Sequence, residues 1–223
     1  MSRVQVISKG LVDILSLENL PVAVKLLMNK DKIPAGLEHP ETRLPSFCSA
    51  VVDASRGKSL YLEAKDMKCS DANIVLGLAE TGTETNDEGK PSLGRVKGVV
   101  LSPLAVSDAQ PDAVLMYIDP EQAGKLLQAV TYELRNKNGK KRIPTYAVGG
   151  EVLLCPAYVM SRAKLDAKPY VGVAGRWSNL NILTDKLVLG MPLSVLEKGY
   201  ENLRKILPTP LTRVGKAESQ KLE

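Results

Sequence analysis

Short apolar runs restrict the fold of this 223-residue chain more than any other feature. VAVKLLM (22–28), VKGVVLSPL (96–104), AVLMYI (113–118) and KLVLGMP (186–192) each have the length of a buried strand. None approaches the ~18 consecutive apolar residues that a membrane span requires. SLYLEA (59–64) and PYVGVAG (169–175) read as further strands. Helical periods lie between them. Val4, Ile7, Leu11, Ile14 and Leu15 share one face over residues 4–17. Phe47, Val51 and Ala54 do the same in SFCSAVVDASRG, with Ser46 as N-cap and Gly57 as the stop. Ile74, Val75 and Leu78 mark a third face just after Cys69. The clearest helix follows Asp119, with Pro120 at its first position and Ala123, Leu126, Leu127 and Val130 on its apolar side. PLSVLEKGYENLRKIL is amphipathic and ends before Pro208. TYAVGGEVLLCPAYVM (145–160) fits either strand or helix, and residues 80–94 are polar enough to be a long loop.

Strands and helices mix without strict alternation. The expected class is therefore α+β, an irregular mixed α/β arrangement with a mixed sheet and flanking helices, rather than a doubly wound sheet. With no internal repeat and no linker, one compact domain over residues 1–207 is expected, followed by a charged tail, 208–223. Hydrophobic residues make up 44% of the chain but aromatics only 4%, so Val, Leu, Ile and Ala must build the core.

The net charge of +5 owes much to RNKNGKKR (135–142). That run carries Asn and Gly where a nucleic-acid binder interleaves aromatics for stacking, and it reads as a solvated loop. The N-terminus is polar throughout, unlike a secretory signal. Three cysteines also fit a disulfide framework poorly. The expectation is a cytoplasmic protein with no membrane and no nucleic-acid partner, and a homodimer is the default assembly. The single histidine, His39, lies between prolines in a loop-like stretch. Ser–His–Asp or Cys–His catalysis would rest on it alone, and it reads as a surface histidine. SRGKS lacks phosphate-loop spacing, and GTETNDEG lacks the calcium-loop pattern.

Cys48, Cys69 and Cys155 form no C-x-x-C pair, the usual signature of zinc or cluster binding. Their local settings are alike, however. Cys48 falls in the first turn after Ser46, Cys69 immediately precedes a helix, and Cys155 is followed by Pro156. Helix N-termini stabilise a thiolate, the form that metals and electrophiles need. Alternatively the three are small buried apolar residues. Arg176 and Trp177, in GVAGRWSNLN, have two readings. They suit a carboxylate or phosphate clamp with a stacking wall, or a strand-edge ion pair beside core filler. Arg56 would neutralise an anionic group near Cys48, or simply favour a helix C-terminus. Glu151 is either an acid–base group near Cys155 or a solvated carboxylate.

PVAVKLL, CSAVVDASRGKSLYL and KCSDANIVLGL, then PDAVLMYIDPEQAGKLLQA, CPAYV, GRWSNL and KLVLGMPLSVLEKGYENL, occur in an order and spacing that resemble a known family. It is the domain-of-unknown-function family numbered 169, of archaea and anaerobic bacteria, and the resemblance covers most of residues 20–206. It implies recurrent cysteines at Cys48, Cys69 and Cys155, but no settled activity. Many members follow the second cysteine with glycines, where this chain has Ser70 and Asp71. Structural zinc would need four ligands, hence His39 as well. A [4Fe–4S] cluster is held by three thiolates with one iron left open. Three soft ligands, one histidine and an anaerobic-type family favour the cluster, serving electron or cluster transfer with a redox partner protein, or an uncharacterised anaerobic reaction. The rival is a cofactor-free binding protein for a small anionic ligand held by Arg176, and a third reading is an assembly partner with no site.

Overall fold

Each strand-length apolar run enters one sheet. The computed structural model describes residues 1–78, 96–108, 110–135, 145–147, 171–174 and 185–207. In chain order these give α1 (Arg3–Leu15), β1 (Val22–Met28), α2 (Phe47–Ser55), β2 (Leu60–Leu62), α3 (Ser70–Val75), β3 (Val96–Pro103), β4 (Ala113–Ile118), α4 (Pro120–Arg135), β5 (Thr145–Ala147), β6 (Val171–Ala174), β7 (Leu187–Met191) and α5 (Leu193–Ile206). The strand order is β2-β3-β1-β4-β7-β6-β5. Neighbours are antiparallel except β5 and β6, which run parallel. The fold is therefore α+β with a mixed sheet. The 80–94 loop, most of 145–160 and the 208–223 tail lie outside the described residues.

Antiparallel strands usually alternate apolar and polar residues because one face meets water. These do not alternate, because helices cover both faces. Val22, Val24 and Leu26 of β1 pack with Phe47 and Val51 of α2 and Ala72 of α3. Ala23 belongs to the opposite layer, with Ile7 and Leu11 of α1, Leu126 of α4 and Leu196 of α5. All six residues of β4 are buried.

Local chemistry fixes the ends of these elements. Ser46 Oγ accepts from Ser49 N–H at 3.2 Å, and Ser49 Oγ accepts from Ser46 N–H at 3.3 Å, a reciprocal cap on α2. Helix α2 stops at Arg56, and Gly57 then takes φ +115°, a conformation that L side chains rarely adopt. Asp119 and Gln122 cap α4 in the same reciprocal way, at 2.8 and 2.9 Å. The Gln122 amide also donates to Leu15 O at 3.0 Å, fastening α4 to the end of α1.

Strand β4 pairs with β1 only across Val22–Val24. Beyond that point Asp112 replaces a strand. Its Oδ2 accepts from Leu26 N–H at 2.8 Å and its Oδ1 faces Lys25 Nζ at 3.3 Å, so the centre of the sheet keeps its donors satisfied. Among the described residues no helix is long and apolar enough to cross a membrane.

Candidate functional site

One backbone contact joins the segments that lead to the two cysteines within the described residues. Leu44 and Met67 form a parallel bridge, with Leu44 N–H donating to Asp66 O at 2.8 Å and Lys68 N–H to Leu44 O at 2.9 Å. Backbones joined this way lie roughly 4.8 Å apart. Two residues beyond the bridge, each chain reaches the cap of a helix: Ser46 begins α2 and Cys69 begins α3. Cys48 is the second residue of α2. Segments that run parallel at this bridge therefore lead into the two cysteine-bearing turns, though 21 residues separate Cys48 from Cys69 in sequence.

Their surroundings differ. Cys48 is buried, 3% exposed, and its carbonyl accepts from the Tyr117 hydroxyl at 3.4 Å. Cys69 is partly buried against the α2 side of the core, and its side chain makes no capping hydrogen bond. Neither is in a disulfide. Asn73, one turn into α3, anchors that segment by donating its side-chain amide to Ala64 O at 3.0 Å. Its buried Oδ1 has no hydrogen-bond partner among the described residues, and nothing in the structure explains that vacancy.

Arg56 stands at the other end of α2 from Cys48. It forms the C-cap of α2, eight residues beyond Cys48, so the ~1.5 Å helical rise carries its backbone roughly 12 Å along the axis. Its position suits the other reading, a cation at a helix C-terminus. Cys155, Glu151, Arg176 and Trp177 lie outside the described residues. Among the described residues no three His, Cys, Asp or Glu side chains converge as a metal site.

A second constellation escaped the sequence reading. His39 Nδ1 lies 3.7 Å from Asp66 Oδ2, and its ring meets Tyr61 edge-on, with centroids 5.0 Å apart and an interplanar angle of 87°. Tyr61 Oη lies 3.2 Å from Glu63 Oε1. The Lys65 ammonium, 2.6 Å from Glu63 Oε2, holds that carboxyl below its usual range. Burial first, and then the Glu63 carboxylate, push the Tyr61 phenol up to about 12. The one sequence signal was Glu63-x-x-Asp66. Asp66 Oδ2 accepts from Glu63 N–H at 2.7 Å and so turns both carboxylates toward the same short loop.

The raised phenol makes alkaline stability a test of this cluster. Between the ordinary value of 10.0 and about 12, the folded chain keeps a proton that the unfolded chain has released. Folded molecules thus bind more protons in this window, and stability must fall as pH rises through it. Urea midpoints measured from pH 9 to about 12 should decline in the wild type, and Tyr61→Phe should flatten that decline. An equally steep decline in Tyr61→Phe would mean that other groups carry it.

A sequence model of the family DUF169, described as Uncharacterised ArCR, matches residues 10–202. No curated protein and no solved structure matches the chain significantly. The match runs from within α1 to within α5 and includes the three cysteines. The chain belongs to DUF169, the uncharacterised ArCR family.

Proposed function

We propose that this chain is an iron–sulfur protein in which Cys48, Cys69 and Cys155 hold a [4Fe–4S] cluster with one open iron. The observation that supports this reading is the Leu44–Met67 bridge, which joins the segments leading into the two described cysteine-bearing turns. The donor set suits the group: three cysteine sulfurs, as soft metals and clusters prefer. Cys69 is the accessible member, with its sulfur free of any capping role. Cys48 is the buried member, fixed by the Ser46–Ser49 cap and by the Tyr117 hydroxyl on its carbonyl. A partly sheltered site of this kind limits solvent around sulfur, one of the levers on reduction potential. The cluster would supply electron or cluster transfer with a redox partner, or Lewis-acid chemistry at the open iron.

One observation favours a second reading. Cys48 belongs to the packed core and Cys69 lies against it, as small apolar residues would. In that case the protein is a cofactor-free binder of a small anion, with Arg176 and Trp177 as the clamp.

Purification without oxygen from iron-replete cells separates the two. The cluster reading expects a brown protein with broad visible absorption and roughly four irons per chain. A colourless protein without iron, under the same conditions, would overturn the cluster and favour the binding reading.

A further inference from the structure

Two polar residues interrupt the apolar strands at the middle of the sheet, and the register brings them to one place. Lys25 is the one charged residue of β1, and Ser102 is the one hydroxyl of β3. Lys25 pairs with Val100 and Ser102 with Ala23, so the two are diagonal neighbours, roughly 7–8 Å apart, on a single face. Alternation along β1 sets that face opposite the one that Val24 and Leu26 turn toward α2 and Cys69. A cleft of about 200 Å³ opens on it, with Ala23, Lys25, Val100 and Ser102 as its floor.

Residues 34–37 and 106–108 form the walls, and both are anchored. Leu37 packs with Leu27, Tyr61 and Val100, while Glu38 N–H donates to Ser59 O at 2.8 Å and Tyr61 N–H to Glu38 O at 3.0 Å. On the other side Leu104 N–H donates to Pro21 O at 2.7 Å. The cleft is thus built into the fold rather than left between loose ends.

Its floor holds an unspent polar group. Ser102 is 5% exposed and borders the cleft, yet its hydroxyl makes no hydrogen bond among the described residues. A sheltered hydroxyl without a partner is costly, and it marks where a ligand's polar atom belongs. Lys25 Nζ donates to Asp112 Oδ1 at 3.3 Å, but an ammonium carries three donors and Asp112 Oδ1 takes one. Two donors on one floor suit the paired oxygens of a carboxylate. Asp108, exposed, is the other charged residue that lines the cleft. It disfavours a plain anion, just as Lys25 disfavours a plain cation, and a molecule with both charges meets both residues. The volume falls below the ~300 Å³ at which drug-sized pockets begin, so only a few heavy atoms fit. Pro34, Leu37 and Val106 leave apolar wall for a short aliphatic group.

We propose that this cleft binds a small α-amino acid, with its carboxylate on Lys25 and Ser102 and its ammonium toward Asp108. The site lies on the other face of the sheet from the cysteines, so it stands or falls separately from the cluster.

L-alanine is the probe, and proton–nitrogen correlation spectra of the full chain read it. The amides of Leu37 and Ser102 should shift saturably, with a Kd of about 1 mM or tighter. Acetate and ethylamine, which each keep one of the two charges, should bind at least about tenfold more weakly. Ser102→Ala should weaken L-alanine about tenfold and leave the urea midpoint unchanged, because the hydroxyl has no partner to lose. Asp108→Asn, at an exposed position, should weaken it about threefold. No saturable response to L-alanine overturns the site, and so does unchanged binding by Ser102→Ala. Acetate or ethylamine binding as tightly as L-alanine overturns the amino-acid assignment. A lowered urea midpoint in Ser102→Ala would show that the hydroxyl serves the fold and would remove the ground for the proposal. Should Ser102→Ala fail to fold at all, the same conclusion holds.

Discussion

Changing Cys69 to alanine should bleach the anaerobically purified protein and remove its iron while leaving the fold intact. A cluster with three protein ligands has no spare thiolate, so the loss of one removes the cluster rather than weakening it. The fold should survive, because the Cys69 side chain caps nothing and is only partly buried. Its removal from the iron-free chain should cost less than about 1 kcal/mol in a urea titration. Cys48→Ala should bleach the protein equally, but with a loss of about 1–2 kcal/mol, since it leaves a small void at a position that is 3% exposed. Cys155→Ala should match both in colour. The contrast is what decides. If the sulfurs are only core atoms, Cys48→Ala destabilises slightly and no colour changes with any variant. Retained absorption and iron in Cys69→Ala would end the cluster reading.

Much of the architecture follows from local pattern. The helix carrying Cys48, its Ser46 cap, its stop at Gly57 and the Asp119–Pro120 start of α4 all depend on residues within a turn of one another, and sequence shows these directly. Strands β1, β3, β4 and β7 were equally plain, because a sheet covered on both faces turns alternation into continuous apolar runs. What escaped were contacts between segments that carry no periodic signal. The Leu44–Met67 bridge joins two irregular stretches, and neither residue advertises a strand. Asp112 reads as a turn residue, yet it completes the hydrogen bonding of β1. The same limit governs the sites. Sequence placed all three cysteines near helix starts, which the structure bears out for Cys48 and Cys69, while Cys155 lies outside the described residues. For Arg56 it left two readings, a charge partner for a group near Cys48 or a cation at a helix end, and the structure puts its backbone at the C-cap of α2. His39 looked like a loop histidine because its partners Tyr61 and Asp66 lie more than twenty residues downstream, and only the added pairing of Glu38 with β2 brings them to it.

That pairing depends on Tyr61 keeping its place, and Gly98 of β3 is the residue that allows it. A Cβ on Gly98 would lie 2.4 Å from Tyr61 Cε2 and 2.6 Å from Cζ, distances that real Cβ atoms do not tolerate. The ring therefore lies flat over the glycine, 1% exposed, packed with Leu27 and Val100. In an ordinary strand, Gly→Ala stabilises by about 0.5–1 kcal/mol, because glycine loses more backbone freedom on folding. Here the sign should reverse. Gly98→Ala must push the phenol out of its slot, breaking its contact with Glu63 and exposing part of an aromatic surface, and should cost about 2–4 kcal/mol. Tyr61→Ala alone should cost about 3–5 kcal/mol. In that background the clash is gone, so adding Gly98→Ala should then be neutral or favourable, a coupling of about 2–4 kcal/mol in a double-mutant cycle. The displaced ring should also release its side of His39, and the imidazole resonances of Gly98→Ala should move with the loss of stability. A Gly98→Ala protein as stable as the wild type, with its His39 signals unchanged, would show that Tyr61 does not pack over the glycine.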